Sequence, residues 1–322
     1  MVLMRRAARA TSSLMRSRNL FIKKHYSATS ENDTVEEMEE DFILEEKSAI
    51  INGGASGIGF EIAREFLKRG VPHLSIIDID EERGEKAAAA LTKEFGREKV
   101  LFFEADVADA VGLDDVYRKS MQFHDIPEII VNSAGIMNDT LWDKQIYTNM
   151  TGSVVGTLLG LQYMSKSSKG YGGIIVNIGS ILGIIPSSGY PLHTMTQFGI
   201  CGFSKAIGCE KMCILGNHIH RTGVKVFALC PGLTDTKLLL EAPAKAINDR
   251  FAQEYADEIE GSTAQKTTSV AKGLADILDK AKAGSVWVVE NDGGPYEVTY
   301  PGNVLEIKRE DDKEDVTSSI RN

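Results

Sequence analysis

Three glycines in the segment NGGASGIGFEIA have the spacing of a phosphate-binding turn. Gly53, Gly57 and Gly59 give the pattern Gly-x-x-x-Gly-x-Gly between an apolar run and the start of a helical pattern. Glycine permits the backbone angles and the close backbone approach that such a turn needs, and the N-terminus of the following helix favours a pyrophosphate. A tight packed turn or a methyltransferase loop has a similar sequence, so the glycines alone leave these alternatives open.

Asp78 makes a dinucleotide the favoured ligand of this turn. It ends the second apolar run, 19 residues after Gly59. A carboxylate at that point can accept hydrogen bonds from both hydroxyls of the adenosine ribose, and it repels a 2′-phosphate. Ile79 follows, where an NADP enzyme often has a basic residue. The pattern therefore favours NAD as the cofactor over NADP.

The elements that must position these residues alternate between short apolar strands and amphipathic helices. Most of the predicted strands are apolar throughout, as expected for strands that are covered on both faces. They are Ser48–Asn52, His73–Asp78, Val100–Glu104, Glu128–Asn132, Gly173–Asn177, Val224–Leu229 and Ser285–Glu290. Helical patterns such as FEIAREFLKRG lie between them, with Gly70 as a stop signal. The sequence predicts an α/β fold: a single domain with a Rossmann-type doubly wound parallel sheet, which binds ligands beyond the carboxyl ends of its strands.

Several further motifs follow one another in a fixed order. They are Ile58 in the glycine loop, Asp106-Val107, Asn132-Ser133-Ala134-Gly135, Asn149 in NMTG, Ser180 in VNIGS, and Pro231-Gly232 with Thr234 and Thr236. Through these motifs, residues 47–300 resemble the short-chain dehydrogenase/reductase family. The segments GGIIVNIGS and GSVWVVENDGGPYEV resemble most its insect alcohol dehydrogenase and prostaglandin dehydrogenase-like branch.

The resemblance implies an NAD-dependent oxidoreductase and assigns roles to these residues. Ser180 would hold the substrate oxygen and Asn149 would support a water relay, while Asp106 and Val107 would contact the adenine. The whole cofactor-binding set that the resemblance and the glycine pattern predict is Gly53, Gly57, Ile58, Gly59, Asp78, Asp106, Val107, Asn132, Ala134, Gly135, Gln197, Pro231, Gly232, Thr234 and Thr236.

Two substitutions stand where the family keeps its acid–base pair. In the family a tyrosine follows the serine and exchanges the proton, and a lysine four residues later lowers the pKa of that tyrosine. Counting 13 residues from Ser180 gives His193, and four more give Gln197. Tyr190 does not fit this spacing, because Thr194 stands four residues after it.

Three interpretations of His193 are open. In the first, His193 replaces the tyrosine in an active NAD-dependent enzyme for a secondary alcohol or ketone, since histidine titrates near pH ~6.5 without help from a lysine. Gln197 would then hydrogen-bond the nicotinamide ribose. In the second, the chain is a catalytically inactive NAD(H)-binding protein with a sensing or structural role. In the third, His193 is an ordinary residue at a helix start that Ser187 or Ser188 caps.

Composition restricts the partners. The formal net charge of -10 argues against a nucleic-acid surface, and no apolar run approaches the ~20 residues of a membrane span. The four cysteines have no metal-binding spacing, so we expect buried, reduced thiols and no metal. The segment Leu238–Ile259 lies where the family has its substrate lid, and its apolar residues favour an apolar small molecule. The two long helices that contain Asn149 and His193 predict a homodimer.

The N-terminal segment has a different composition. Residues 1–26 contain seven basic residues and no acidic residue, with Leu, Met and Phe between them. This composition is typical of a mitochondrial transit peptide, so we expect the mitochondrial matrix. The alternative is a disordered basic arm on a cytoplasmic protein. Residues 27–46 are predicted to be an acidic linker, residues 47–300 the folded domain, and residues 301–322 a polar C-terminal tail.

Overall fold

The apolar runs of the sequence form one sheet. The computed structural model describes residues 43–96, 99–208 and 218–300 of the chain. The strands within these ranges are β1 Ala49–Asn52, β2 Leu74–Asp78, β3 Val100–Glu104, β4 Ile129–Asn132, β5 Gly173–Ile178, β6 Val224–Pro231, β7 Val286–Val289 and β8 Tyr296–Glu297. Their order in the sheet is β3-β2-β1-β4-β5-β6-β7-β8, and only the last pairing is antiparallel.

The seven predicted strands are confirmed, with ends that shift by one or two residues. β1 and β4 are buried along their whole length, which explains why their sequences do not alternate between apolar and polar residues. β8 was not predicted. It has two exposed residues, Tyr296 and Glu297, too few to show a strand period, and it forms only by pairing with β7.

Helices connect successive strands and cover both faces of the sheet. They are α1 Gly57–Lys68, α2 Glu81–Phe95, α3 Ala110–Phe123, α4 Trp142–Ile146, α5 Gly152–Met164, α6 Pro191–Gly208, α7 His218–Thr222, α8 Lys237–Leu240, α9 Asp249–Glu258 and α10 Thr267–Ile277. A π-helical turn, Tyr147–Thr151, joins α4 to α5. α1 packs against α2 and α10, whereas α3 packs against α5. Gly70, with φ +94°, follows the end of α1 as predicted.

The chain direction switches between β1 and β4, which are neighbours at the centre of the sheet. Ligands of doubly wound sheets bind beyond the carboxyl ends of the strands at this switch point. The predicted α/β fold with a Rossmann-type parallel sheet is therefore confirmed for the described residues.

A ladder of three asparagines joins the central strands at their carboxyl ends. Asn52, Asn132 and Asn177 are in register on β1, β4 and β5. Asn52 Nδ2 donates to Asn132 Oδ1 at 2.7 Å, and Asn132 Nδ2 donates to Asn177 Oδ1 at 2.8 Å. Gly156 on α5 covers the ladder so closely that a Cβ there would lie 2.0 Å from Asn132 Oδ1. We call Asn52, Asn132 and Asn177 the asparagine ladder.

Several predicted segments fall wholly or partly outside the described residues. These are the transit peptide at residues 1–26, residues 27–42 of the acidic linker, and the tail at residues 301–322. The last linker residues, Leu44–Glu46, form a single 3-10 turn before β1, and Lys47 pairs with Glu128 at 2.9 Å. Among the described residues, helices that are long and apolar enough to cross a membrane are absent.

Candidate functional site

The glycine loop between β1 and α1 needs glycine for two separate steric reasons. Gly53 has φ +79°, and a Cβ there would lie 2.5 Å from the backbone of Ala134 in the turn after β4. A Cβ at Gly59 would lie 2.1 Å from the carbonyl oxygen of Gly53. Ser56 precedes α1 without a side-chain hydrogen bond to the first turn. The N-terminus of α1 therefore offers backbone N–H groups to an anionic ligand.

Asp78 lies beside this loop at the end of β2, as the sequence predicted. Its Oδ2 accepts a hydrogen bond from Ala55 N at 3.1 Å, and its Oδ1 accepts one from Asp80 N at 3.2 Å. The carboxylate is half-buried, and the next side chain, Ile79, is 60% exposed. The Asp78 carboxylate is therefore held beside the glycine loop, where it could also accept hydrogen bonds from ribose hydroxyls.

The remaining cofactor candidates differ in how accessible their side chains are. Asp106 is exposed after β3 and accepts from Ala108 N at 2.9 Å, whereas Val107 is buried under Gly152. The side chain of Asn132 lies inside the asparagine ladder, so this residue could contact a cofactor only through its backbone. Sequence patterns could not have predicted this arrangement of Asn132, because its partners come from distant strands.

The turn after β6 meets the glycine loop. Thr234 Oγ1 donates to the carbonyl oxygen of Gly232 at 2.8 Å, and Gln265 Nε2 donates to Thr234 Oγ1 at 3.2 Å. Thr236 caps α8, and its Cγ2 lies 3.8 Å from the position of a Cβ at Gly57. The structure thus brings Pro231, Gly232 and both threonines to the predicted site. Gln265 is a supporting residue that the sequence analysis missed.

The first turn of α6 carries His193 and is capped by a distant side chain. Asp139, only 2% exposed, accepts hydrogen bonds from the backbone N–H groups of Leu192 and His193, both at 2.9 Å. Gln145 Nε2 donates to the same carboxylate at 2.8 Å. The prediction that Ser187 or Ser188 caps this helix is therefore wrong. Ser187 Oγ accepts from Tyr190 N, before the helix begins, and Ser188 contacts Glu258.

His193 is buried at this helix start. Its side chain is 6% exposed, and Nδ1 has no hydrogen-bond partner among the described residues. Burial lowers the pKa of His193 to about 4, while a hydrogen bond with the backbone of Ile136 works in the opposite direction. The imidazole is therefore neutral at physiological pH, and Nδ1 is an acceptor site that this part of the protein leaves unused.

Asn149 holds the segment that touches His193. Its Oδ1 accepts from Ile136 N at 2.8 Å, and its Nδ2 donates to the carbonyl oxygen of Ile136 at 2.9 Å and to Thr196 Oγ1 at 3.1 Å. The residue lies in the π-helical turn Tyr147–Thr151, a distortion frequent at functional sites. Its amide therefore links Ile136, next to His193, to the second turn of α6.

Gln197 and Ser180 lie at the carboxyl end of β5. Gln197 is 4% exposed; its Nε2 donates to Thr196 Oγ1 at 3.4 Å, whereas its Oε1 has no partner among the described residues. That oxygen lies 3.8 Å from the position of a Cβ at Gly179, the residue before Ser180. Ser180 is half-buried, and its Oγ accepts from Leu182 N at 3.2 Å.

Tyr190 packs against the segment Leu238–Ile259, which the sequence predicts as a substrate lid. It is fully buried, its hydroxyl donates to the carbonyl oxygen of Ala242, and its ring meets Tyr255 edge-on with centroids 4.9 Å apart. Burial raises the pKa of Tyr190, the opposite of what an acid–base tyrosine needs. The cluster around it is apolar: Met137, Leu182, Leu238, Leu239, Ala242, Ala246, Phe251, Ala252, Tyr255 and Ile259.

Comparisons with known proteins match more than half of the chain to one family. A family model described as short chain dehydrogenase matches residues 47–246. The 15-hydroxyprostaglandin dehydrogenase (NAD(+)) of Mus musculus is 32% identical over 267 residues, covering 81% of this chain and 96% of that protein. Alcohol dehydrogenase 1 of Ceratitis cosyra is 30% identical over 246 residues, covering 75% of this chain and 91% of that protein. These relatives confirm the predicted branch.

Solved structures share the fold. The 3-ketoacyl-(acyl-carrier-protein) reductase of Brucella melitensis complexed with NADH has a TM-score of 0.63 at 22% identity, covering 77% of this chain and 98% of that chain. Levodione reductase has the same TM-score and identity, covering 77% of this chain and 96% of that chain.

Proposed function

We propose that this chain, which belongs to the short-chain dehydrogenase family, is an NAD-dependent oxidoreductase. Its reaction interconverts a secondary alcohol and a ketone. One observation carries the proposal: Nδ1 of His193 and Oε1 of Gln197 are buried acceptors without a partner among the described residues. Four residues apart, they lie on the same face of α6. A buried acceptor without a donor is costly, and a bound dinucleotide and alcohol would supply the donors that these two atoms lack.

Each residue then has a separate task. NAD, when bound, supplies the acceptor for the hydride that leaves the carbinol carbon. Ser180 holds the substrate oxygen by a hydrogen bond, and His193 accepts the carbinol proton on its neutral imidazole. Gln197 Oε1 accepts a hydrogen bond from a ribose hydroxyl. Asn149 acts as a positioning residue, because its amide is engaged with Ile136 and Thr196.

NAD is preferred over NADP because of the residues at the end of β2. The carboxylate of Asp78 repels a 2′-phosphate, and Ile79 offers no positive charge to bind one. The NAD(+) in the name of the Mus musculus relative supports the same choice. We expect Asp78→Ala to weaken NADH binding by at least about tenfold, measured by fluorescence titration. An unchanged dissociation constant would contradict the assignment.

A second candidate is an inactive NAD(H)-binding protein with a sensing or structural role. The observation that favours it is the burial of His193 together with a pKa of about 4. Solvent does not reach Nδ1, and an imidazole with so low a pKa is a weak base. Both candidates bind NADH, so only turnover separates them.

A panel of secondary alcohols with NAD distinguishes the two candidates. We expect turnover in the wild type that falls by about 10²–10⁴-fold in His193→Ala, the range of a lost acid–base catalyst. The matched variant is His193→Tyr with Gln197→Lys, which restores the family pair. Turnover only in that double variant would overturn the proposal of an active enzyme and support the inactive NAD(H)-binding protein. A chain that binds no NADH would overturn both.

The substrate is proposed to be apolar. The cluster of Leu238, Leu239 and Phe251 places aliphatic and aromatic side chains beside Met137, which follows the turn after β4. Such a wall favours an alcohol with a hydrocarbon body over a sugar or a hydroxy acid. Longer aliphatic alcohols in the panel should therefore have higher kcat/KM than short ones.

We also propose a homodimer in the mitochondrial matrix. The exposed side chains of Trp142, Tyr147, Met195 and Phe198 lie on α4, the π-helical turn and α6, and they offer an apolar surface to a second copy.

The proposed location in the mitochondrial matrix depends on residues 1–26. The first 30 residues fused to a fluorescent protein should direct it to mitochondria, and diffuse fluorescence would contradict the assignment.

A further inference from the structure

Two of the four cysteines lie next to each other, near Gln197 of the proposed site. Cys201 is on α6, one turn after Gln197, and Cys230 is near the end of β6, immediately before Pro231. Their Sγ atoms are 3.4 Å apart, and both thiols are reduced and buried. The sequence predicts buried thiols but not this contact, because the two residues are 29 positions apart.

A glycine separates this thiol pair from the site. A Cβ at Gly179 would lie 3.1 Å from Cys230 Sγ and 3.7 Å from Cys201 Sγ. The same Cβ would lie 3.8 Å from the unpartnered Oε1 of Gln197. The thiols and this oxygen therefore border one point, where Gly179 contributes no side chain to cover the sulfur atoms.

The thiol pair lies in an apolar cluster. Val286 and Val288 of β7 belong to the buried part of this cluster, and Ile181, Ile184, Val298 and Tyr300 pack against it. A hydrogen bond donated by the Cys230 thiol lowers the pKa of Cys201, whereas donating this bond and being buried both raise the pKa of Cys230. Cys201 is thus the thiol that ionises first and attacks an electrophile, with Cys230 in contact to resolve the product.

We propose that Cys201 and Cys230 form an oxidation site, in which a hydroperoxide converts the two thiols to a disulfide and thereby weakens dinucleotide binding. The sulfur of Cys201 attacks the peroxide, the O–O bond breaks, and an alcohol or water leaves with the proton while a sulfenic acid forms. The sulfur of Cys230 then attacks Cys201, the S–O bond breaks, and hydroxide leaves as water with the proton of Cys230. The two sulfur atoms together lose two electrons, and the peroxide gains them.

The effect on binding follows from geometry. A disulfide needs an S–S distance of about 2.05 Å, so the Sγ atoms of Cys201 on α6 and Cys230 at the end of β6 must move closer to each other by more than 1 Å. Those two elements carry Gln197 and the Pro231-Gly232 turn. A displacement of about 1 Å at a binding site is sufficient to lose contacts that depend on hydrogen-bond geometry. This second part of the proposal rests on the proposed function, whereas disulfide formation does not.

The test uses the full chain with Cys209 and Cys213, which lie outside the described residues, replaced by serine. Folded protein is treated with hydrogen peroxide, alkylated and digested. We expect a peptide that joins Cys201 to Cys230 with the loss of two hydrogen atoms, and its disappearance after dithiothreitol. Cys201→Ser in this background should give no such peptide. Persistence of both free thiols, or of a sulfenic acid that never resolves, would overturn the proposal.

NADH titration tests the functional part separately and needs no cysteine variant to fold. We expect the oxidised chain to bind NADH about tenfold more weakly than the reduced chain, about 1.4 kcal/mol, with recovery after reduction. Cross-linking without a change in affinity would refute the effect on binding. Cross-linking in a chain that never binds NADH would refute the proposed function and leave the oxidation site standing.

Discussion

Burial keeps His193 neutral, and this decides the direction of proton transfer that it can support. An imidazole with a pKa of about 4 is unprotonated at pH 7 in all but about one molecule in a thousand. It can therefore receive a proton from an alcohol but rarely holds one to give to a ketone. A family tyrosine relies on lysine to become basic, whereas His193 needs no cation, and Gln197 supplies none.

The rate of alcohol oxidation should follow this titration. We expect kcat/KM for oxidation to be flat from pH 6 to 8, as far as His193 is concerned, and to fall as the pH approaches 4, where the base becomes protonated. Ketone reduction should show the reverse trend and increase toward pH 4. A pH–rate profile in both directions measures this. A fall in oxidation already at pH 7 would mean that the base is another group.

The same titration acts on stability. The pKa of His193 is about 4 in the folded protein and about 6.5 when unfolded, so the unfolded chain binds more protons between these values. The folded state should lose roughly 3 kcal/mol from this residue as the pH falls from 7 to 4. Urea unfolding across this range should give a steeper loss for the wild type than for His193→Gln. Equal slopes would contradict the assigned pKa.

Asp139 is a second residue with a measurable role. Asp139→Ala removes the cap from Leu192 and His193 and leaves Gln145 without its acceptor, so we expect a loss of about 1–3 kcal/mol. Asp139→Asn retains an acceptor oxygen and should lose less. The exposed Asp143→Ala serves as the control, with a change below about 0.5 kcal/mol. Equal free energies of unfolding for Asp139→Ala and the control would disprove the cap.

At the scale of elements, one carboxylate fastens α9 to the loop before α6. Glu258 accepts from Ser187 Oγ at 2.5 Å, from Ser188 N at 2.7 Å and Oγ at 2.6 Å, and from Gly189 N at 3.3 Å. Burial alone would raise the pKa of Glu258, but these hydrogen bonds outweigh burial and lower it. We call this contact the lid clamp.

Removing the lid clamp should loosen the lid without unfolding the domain. In Glu258→Ala we expect faster amide hydrogen exchange in α8 and α9 and a higher KM for apolar alcohols, with exchange in β1 and β4 unchanged. The neighbouring exposed residue Glu260 gives the control variant Glu260→Ala. Exchange that rises equally in the lid and in the central strands would show a general loss of stability instead.

At the scale of the whole molecule, the fold was predictable and several contacts of the site were not. Buried parallel strands leave continuous apolar runs in the sequence, and a glycine-rich turn with Asp78 behind the next strand leaves a recognisable spacing. The contact between Asp139 and α6 leaves no such trace, because it joins positions 53 and 54 residues apart. The thiol contact and the asparagine ladder escaped prediction for the same reason.

The proposed dimer can also be tested at this scale. Trp142→Glu with Phe198→Glu places two charges on the proposed apolar surface, and we expect the particle mass in light scattering to fall from two chains to one. Val111→Glu, at an exposed apolar residue of α3 rather than of α4 or α6, is the control. A wild type that is already monomeric would disprove the dimer.

The asparagine ladder has a consequence for how the protein folds. Asn52, Asn132 and Asn177 are 80 and 45 residues apart along the chain, and the two hydrogen bonds between their side chains form only when β1, β4 and β5 are all in register. A sheet with one of these strands missing or displaced would bury amides without partners, which is costly. Partly assembled states are therefore penalised, and the centre of the sheet should form and open as one cooperative unit.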